Sequence, residues 1–215
     1  MSWKRARTDD KRNERKAAIY DAAYTLFKAH GYDGVSFNGI AAQAGFTKSN
    51  MYRYFSSKEE IFLGIFQDLF EVWFSDTQTR LQKLEVDSPT ETFSQLWVDA
   101  YLAHPEFLDL IPLLFTALER NSSLEQLTVF KRRSKELLYM LTLDIARIYP
   151  DIQGDKAFQF LSLSFAATSN YWAGATRNAV LDSVYALDEF KMLKPDFNND
   201  LFNSICIIVK GLRVG

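Results

Sequence analysis

Residues 36–61 read SFNGIAAQAGFTKSNMYRYFSSKEEI and predict two short helices joined by a sharp turn. Ser36 suits the N-cap of the first helix, over residues 37–44, and Thr47 suits the N-cap of the second. Gly45 stands between them and can take the positive φ that a sharp exit from a helix demands. Such a pair is a helix-turn-helix, whose second helix lies in the DNA major groove with its early residues at the base edges.

The predicted second helix carries many polar side chains on its exposed face. Hydroxyl, amide, ammonium and guanidinium groups contact phosphates and read base edges. Lys58 follows in the first turn of the next helix, where its charge and the free backbone amides together suit one phosphate. The alternative is a solvated charge for Lys48, Arg53 and Lys58, and core packing for Tyr52 and Phe55. The DNA-binding candidates are Ser36, Thr47, Lys48, Ser49, Asn50, Tyr52, Arg53, Tyr54 and Lys58.

Charge is distributed unevenly along the chain. Residues 1–58 hold eleven Lys and Arg against five Asp and Glu, whereas residues 59–215 hold fourteen against twenty-two, for a net charge of -2. A basic N-terminal quarter favours contact with a polyanion, and the acidic remainder is repelled by one. We therefore expect a head that faces nucleic acid on a body with another task; the alternative is a soluble protein with uneven surface charge.

The composition favours a helical protein. With 215 residues, 47% of them hydrophobic and 24% charged, the chain fits one or two domains with a core. Nine Gly and five Pro favour long helices over many short strands. No apolar run approaches the ~20 residues of a membrane helix, and the N-terminus lacks the apolar stretch of a signal peptide. We expect an all-α protein in the cytoplasm, with no membrane partner.

Residues that would indicate metal binding or catalysis are scarce. Cys206 is the only cysteine, which excludes an intrachain disulfide and a multi-cysteine metal cluster. His30 and His104 are too isolated to indicate a metal site. A Ser/His/Asp grouping, a phosphate-binding glycine loop and metal-spaced carboxylates are all missing from the sequence. We expect no cofactor, no metal and no enzymatic activity.

The sequence pattern divides the chain into three parts. Residues 1–16 are basic and poor in apolar residues, which predicts a flexible arm. Residues 17–56 hold a first helix and the helix-turn-helix, and residues 57–215 form a helical body that opens at a Ser57–Glu60 capping box. Further helices are predicted from Pro89, from Pro105 to a break at Pro112, from Ser122 to Pro150, over residues 155–179 and over residues 199–212, while residues 182–197 lack clean periodicity.

Particular residue pairs carry a family resemblance. With Gly31-Tyr32, Val35-Ser36, Ile40-Ala41, Ala44-Gly45 and the run from Lys48 to Ile61, about residues 14–66 resemble the N-terminal domain of the tetracycline-repressor (TetR) family of regulators. Ser49 stands where Gly is frequent and Tyr54 where His is frequent, which leaves the operator sequence open. The resemblance implies that Thr47, Ser49, Asn50, Tyr52, Tyr54 and Lys58 contact DNA, with Tyr52 and Lys58 chiefly on phosphate.

Most aromatic residues lie beyond residue 60, which suits a body that wraps an apolar cavity. The alternative is that these rings are plain core. Charges at Lys131, Arg132, Arg133 and Lys135 point in different directions on a helix, so a solvated surface is the favoured interpretation. The pocket candidates are Phe66, Phe70, Trp73, Trp97, Tyr101, Phe107, Tyr139 and Trp172.

The helix predicted over residues 155–179 has one bulky side and one small side. The small side permits close approach to a second copy across a two-fold axis, with the last helix completing a four-helix bundle. The alternative is ordinary intrachain core; the TetR resemblance, which implies dimerisation through the last two long helices, favours the dimer. The interface candidates are Ser162, Ala166, Ser169, Ala173, Thr176, Leu201, Ile205, Ile208 and Leu212.

These features together predict a homodimeric, ligand-responsive regulator. Its DNA partner is a near-palindromic operator, its effector is an apolar or aromatic small molecule, and its action is repression. The first alternative is a helical small-molecule carrier or adaptor whose basic head only aids solubility. The second alternative is an enzyme that uses the aromatic cavity.

Overall fold

The structure is a computed structural model that describes residues 2–176 and 179–214, with side chains from Arg12 onward. All of its regular elements in these ranges are helical, which confirms the predicted all-α fold. The α-helices are α1 (Ser2–Gly34), α2 (Phe37–Gln43), α3 (Lys48–Met51), α4 (Lys58–Leu81), α5 (Thr90–Leu102), α6 (Pro105–Leu110), α7 (Leu124–Ile148), α8 (Asp155–Ala175), α9 (Ala179–Tyr185) and α10 (Phe197–Val214).

Helix α1 extends through the segment that we predicted to be a flexible arm. It begins at Ser2, and its first non-helical backbone angles lie at Gly31, with φ 69. No Gly or Pro interrupts the chain before that residue, and Lys, Arg, Glu and Ala are good helix formers. Local helix propensity therefore continues the helix where the lack of apolar residues had indicated an arm.

The chain folds into two compact units. The first comprises Met1–Gln67 with Leu114–Phe130, and the second comprises Asp68–Leu113 with Lys131–Gly215. The division differs from the domain boundary predicted after residue 56, because the start of α4 and residues 114–130 pack with the N-terminal helices. The predicted boundary was placed at the turn before α4. The core of the first unit extends past that turn, because it includes apolar side chains at the start of α4.

Each unit has its own apolar core. In the first unit, fully buried side chains come from every helix of the head and from the segment that includes Leu118. In the second unit, the core is strongly aromatic and joins α5, α7, α8 and α10. Fully buried examples are Ile19, Ile40, Met51, Ile61 and Phe62 in the first unit, and Phe93, Trp97, Ile145, Phe160 and Leu201 in the second.

The predicted break at Pro112 is present. Helix α6 ends at Leu110, a 3₁₀ turn follows over Ile111–Leu113, and a π-helical turn follows over Leu114–Leu118. Proline has no N–H to donate and its ring clashes with the preceding turn, so the α-helical ladder cannot continue through it. The chain thus enters the first unit through backbone that is not α-helical.

The segment that lacked periodicity contains helix α9 and a 3₁₀ turn over Asp188–Leu193. Neither element has a buried residue. A helix that presents no buried face needs no apolar stripe, which explains why the pattern at residues 182–197 could not be interpreted.

Candidate DNA-binding site

The helix-turn-helix forms as its capping residues predict. The hydroxyl of Ser36 accepts a hydrogen bond from the backbone N–H of Gly39 at 3.0 Å and so caps α2. Thr47 does the same for α3, accepting from the N–H of Asn50 at 3.3 Å. Gly45 turns the chain between them with φ 73. The two caps use only the Ser36 and Thr47 hydroxyl oxygens as acceptors, so both hydroxyl protons can still be donated to a ligand.

Helix α3 separates a buried side from a polar side. Met51 is 0% exposed and Phe55 is 5% exposed, and the N–H of Phe55 bonds to the carbonyl of Met51 at 3.0 Å. The polar side chains point away from this core and reach solvent. Seven of the nine DNA-binding candidates are exposed, namely Ser36, Thr47, Lys48, Ser49, Asn50, Tyr52 and Arg53.

Two tyrosines flank this polar side. The ring of Tyr52 is 55% exposed and packs against Phe37 with the ring centroids 5.1 Å apart. The side chain of Tyr52 combines an apolar ring with a polar hydroxyl and lies at the edge of the polar surface. Tyr54 is half-buried, and its hydroxyl accepts a hydrogen bond from Arg15 at 3.2 Å. Arg15 thus joins the candidate surface; the basic run at residues 1–16 was the signal for it.

Lys58 is bound within the head. Its ammonium donates to the carbonyl oxygens of Tyr32 at 3.0 Å and Val35 at 2.9 Å, and lies 4.2 Å from the ring centroid of Tyr32. The Tyr32 carbonyl lies in the last turn of α1 and the Val35 carbonyl lies just beyond its end, a position at which helix carbonyls attract cations. Two of the three ammonium donors are used in this way, so one donor is left for the phosphate contact that the resemblance implies, which stays a prediction.

The capping box at the start of α4 is present in modified form. The hydroxyl of Ser57 accepts from the N–H of Glu60 at 3.2 Å, as predicted. The carboxylate of Glu60 does not return to Ser57; it accepts from the N–H of Ser56 at 2.8 Å and from the hydroxyl of Ser56 at 2.6 Å. It also accepts from the N–H of Ser123 at 3.2 Å. Burial alone would raise the pKa of Glu60, but hydrogen bonds from Ser123 and Ser56 outweigh it and hold that pKa below its usual range.

Five of the eight pocket candidates meet in one aromatic cluster of the second unit. Trp73 stacks on Tyr101 with ring centroids 4.7 Å apart, and Phe70 stacks on Phe107 at 5.8 Å. Trp97 packs edge-on against Trp73 at 5.8 Å. All five are buried, and burial raises the pKa of Tyr101, so its hydroxyl stays neutral. We define these five residues as the aromatic cluster.

The other three pocket candidates lie elsewhere. Phe66 belongs to the first unit and packs edge-on against Phe130 at 5.9 Å. Tyr139 is 63% exposed on α7, because it falls on the polar side of that helix. Trp172 packs against Phe197 at 4.9 Å and lines an open groove of about 560 Å³. Helical spacing alone had grouped these rings with the cluster.

The interface candidates divide between surface and core. On α8, the small side chains of Ser162, Ala166 and Ala173 are exposed, and Thr176 beyond the helix is exposed as well. Ser169, Ile208 and Leu212 are partly exposed. Leu201 and Ile205 are 0% exposed within their own subunit, so they cannot form contact surface with a second copy. They face the core because α10 packs between α5 and α8, a placement that its apolar spacing could not distinguish from an interface.

Two comparisons by family model cover almost the whole chain. The model for bacterial regulatory proteins of the tetR family matches residues 19–65, and the model for the tetracyclin repressor-like C-terminal domain matches residues 67–215. The chain belongs to the TetR family. This confirms the resemblance drawn from the residues around the helix-turn-helix. TetR-family regulators bind operator DNA and small-molecule effectors as dimers, and the family is one of regulators, not of enzymes.

Individual relatives match only a part of this TetR-family chain. It is 35% identical over 60 residues to the uncharacterized HTH-type transcriptional regulator YfiR of Bacillus subtilis (strain 168), covering 28% of this chain and 29% of that protein. It is 34% identical over 59 residues to the HTH-type transcriptional regulator RutR of Escherichia coli (strain K12), covering 27% of this chain and 28% of that protein. The match thus spans less than a third of these curated relatives.

A solved structure matches the TetR-family fold over nearly its whole length. A transcriptional regulator from Rhodococcus sp. Rha1 aligns with a TM-score of 0.56 at 16% identity, covering 93% of this chain and 98% of that one. At this identity the likeness concerns the fold alone. None of the helices in residues 2–176 and 179–214 is long and apolar enough to cross a bilayer. In the same ranges, no group of three or more His, Cys, Asp or Glu side chains is arranged to hold a metal ion.

Proposed function

We propose that this TetR-family chain is a DNA-binding transcriptional repressor that acts without catalysis in the cytoplasm. Two copies bind one near-palindromic operator, and a small apolar or aromatic effector releases them. The observation that carries the proposal is the polar side of α3, where Lys48, Asn50 and Arg53 are exposed while Met51 is buried beneath them.

The chemistry of that side suits DNA. Lys48 supplies a positive charge for phosphate, Asn50 supplies an amide that pairs with adenine, and Arg53 supplies the fork that pairs with guanine. The hydroxyls of Thr47 and Ser49 lie 3.2 Å apart at the start of α3, where they can donate to phosphate. Six exposed donor residues on one short segment, residues 47–53, favour a contact surface over an ordinary solvated face.

The exposed part of α8 supports the homodimer. Ala166 and Ala173 lie seven residues apart on one side of the helix, and small residues let two helix backbones approach closely. Phe158 is 57% exposed and Ile207 of α10 is 71% exposed, so both helices present large apolar side chains to solvent in the monomer. A second copy would cover these surfaces, and a dimer places two reading heads at the two halves of a palindrome.

We place the effector at the aromatic cluster. Trp73 and Phe70 lie on α4, the helix that begins at Lys58 beside the reading head. Stacked and edge-on aromatic pairs each contribute about 0.5–1.5 kcal/mol, so a flat aromatic ligand can replace ring contacts with contacts of similar strength. An effector that fits only one arrangement of α4 shifts the population toward the form that does not bind DNA.

The test is selection from random duplex DNA with the full chain. We expect enrichment of one near-palindromic sequence, bound by a dimer, and loss of that enrichment when Lys48, Asn50 and Arg53 are all replaced by Ala. A soluble dimer that enriches no symmetric sequence would contradict the proposal and favour a small-molecule carrier. Titrating uncharged aromatic compounds into the operator complex then tests the effector site, with Trp73→Ala as the variant that should no longer respond.

A further inference from the structure

The carboxylate of Glu60 joins two segments that are far apart in sequence. One oxygen, Oε2, accepts from the N–H and the hydroxyl of Ser56 at 2.8 and 2.6 Å. The other oxygen, Oε1, accepts from the N–H of Ser123 at 3.2 Å. The side chain of Ser123 also helps to hold the pKa of Glu60 below its usual range. Glu60 itself is only 5% exposed. We define Glu60, Ser56 and Ser123 as the carboxylate bridge; all three belong to the first unit.

One end of the bridge holds the DNA-reading segment. Ser56 directly follows Phe55, whose N–H bonds to the carbonyl of Met51 and so closes the turn after α3. The N–H groups of Tyr54 and Phe55 both bond to the carbonyl of Met51, at 2.9 and 3.0 Å. Together with the buried side chains of Met51 and Phe55, these bonds fix the direction in which the polar side of α3 faces solvent. A shift of Ser56 therefore changes the angle at which α3 is presented.

The other end of the bridge holds the start of α7. The carbonyl of Ser123 accepts from the N–H of Leu127 at 2.9 Å, and its hydroxyl accepts from the N–H of Gln126 at 3.4 Å, so Ser123 caps this helix. Helix α7 continues from Leu124 to Ile148. Residues 124–130 of α7 belong to the first unit, and residues 131–148 belong to the second.

The chain that leads into Ser123 includes a π-helical turn. The π-helical turn Leu114–Leu118 lies between a 3₁₀ turn and the loop before α7. Ser122 and Asn121 bond by their side chains to the carbonyls of Leu118 and Ala117, at 2.8 and 3.1 Å. Single π turns occur mostly within α-helices at functional sites, and return to α-helical pairing moves the following chain by one residue.

We propose that Glu60 is a positioning residue that couples the start of α7 to the DNA-reading helix α3. Movement of Ser123, caused by a change of register over residues 114–123 or by a shift of α7, is carried by the carboxylate to Ser56. The proposal deepens the proposed function, because it names the contact by which effector binding in the body alters the head. Such coupling needs an element with two arrangements, and the proposal assigns that role to the π-helical segment.

The chemistry of the bridge defines the test variants. Glu60→Gln keeps the shape but places an NH₂ group against either the Ser56 or the Ser123 backbone N–H, neither of which can accept a hydrogen bond. One half of the bridge is therefore lost. Ser123→Ala keeps the backbone N–H that bonds to Glu60 but removes the hydroxyl that caps α7, so it loosens the start of that helix and changes no side chain of the reading head. Glu59→Gln is the matched control. Among the described contacts, the carboxylate of Glu59 accepts a hydrogen bond only from the Tyr32 hydroxyl, at 3.3 Å, so it is not part of the carboxylate bridge.

The experiment is hydrogen–deuterium exchange on the full chain without DNA, followed by affinity for the selected operator. We expect Ser123→Ala and Glu60→Gln each to speed exchange across residues 48–56 and to weaken operator binding about 5-fold or more. In the double variant, the effects on operator affinity should be non-additive. Glu59→Gln should change neither exchange nor affinity. Unchanged exchange at residues 48–56 in Ser123→Ala, or additive effects, would overturn the coupling. Exchange needs no operator, so the coupling can be judged even if selection yields no operator and the proposed function fails.

Discussion

The ammonium of Lys58 donates to the carbonyl oxygen of Val35 at 2.9 Å, across 23 residues of chain. This contact ties the start of α4 to the loop that precedes α2, and a second bond to the carbonyl of Tyr32 reinforces it. A lysine in the first turn of a helix ordinarily opposes the helix dipole. Here the opposing charge is offset by two carbonyls at the end of another helix, so Lys58 fastens α4 to the end of α1 and to the loop before α2.

Lys58→Ala should destabilise the head. Both carbonyls lose a charged donor, and hydrogen bonds to charged groups contribute about 1.5–3 kcal/mol when well formed. Because Lys58 is only partly buried, water can replace part of the loss, and we expect a decrease of about 1 kcal/mol in the free energy of unfolding. Unfolding in denaturant, monitored by hydrogen exchange of the backbone amides in the head, measures this free energy. Lys83→Ala, an exposed lysine of the second unit, is the control, and equal stability of the two variants would contradict the interpretation.

Arg53→Ala should relax DNA specificity at one position of each half-site. Its guanidinium is exposed on the polar side of α3, and a bidentate contact to guanine discriminates against other bases by about 1–3 kcal/mol. Repeating the selection with the variant checks this. Lys48→Ala serves as comparison, since loss of a phosphate contact weakens all sequences alike and lowers the salt slope by about one. A uniform loss in Arg53→Ala would instead assign Arg53 to phosphate.

Gly45→Ala should destabilise the turn by strain alone. The residue has φ 73, and a Cβ placed there meets no atom within 4 Å, so crowding contributes nothing. For an alanine, the left-handed conformation costs about 1–2 kcal/mol. Asparagine tolerates this region better, so Gly45→Asn should lose clearly less stability than Gly45→Ala. If the two variants unfold at the same denaturant concentration, the strain account is wrong.

Glu60 should make the unfolding free energy of the head depend on pH in the acidic range. Burial opposes its charge, but the hydrogen bonds from Ser123 and Ser56 prevail and keep the pKa of Glu60 in the folded chain below that in the unfolded chain. Its stabilising contribution is therefore complete above the ordinary Glu pKa of about 4.3 and is lost as pH falls through the lower folded value. Wild type and Glu60→Gln should differ in unfolding free energy at pH 7, and the difference should shrink below about pH 4. A constant difference between these pH values would contradict the account.

The head was predictable where its determinants are local. Ser36, Thr47 and Gly45 each act within three residues of the helix ends that they cap or close, and the structure forms both caps and the turn. The contacts of Lys58 with Val35 and of Glu60 with Ser123 could not be predicted, because they join residues that are 23 and 63 positions apart and no pattern encodes them. The first case depends on backbone geometry, and the second depends on tertiary packing.

The same distinction applies to the body. Helical spacing identified apolar faces on α8 and α10 but could not assign each face to the subunit's own core or to a second copy. The structure buries Leu201 and Ile205 completely and leaves Ala166 exposed. Spacing gives the direction of a side chain on its helix; only the neighbouring helices decide what that side chain meets.

Ala166→Arg should therefore separate the dimer without unfolding the subunit. The side chain is exposed on the small side of α8, so a long cation can be accommodated in the monomer but prevents close approach of two backbones. We expect the mass in solution, measured by light scattering after gel filtration, to fall to that of one 24.8 kDa chain. Operator affinity should fall with it, because a single head contacts only one half-site. Lys135→Glu, on the exposed side of α7, should remain dimeric. A dimeric Ala166→Arg variant would show that the two copies meet through another surface.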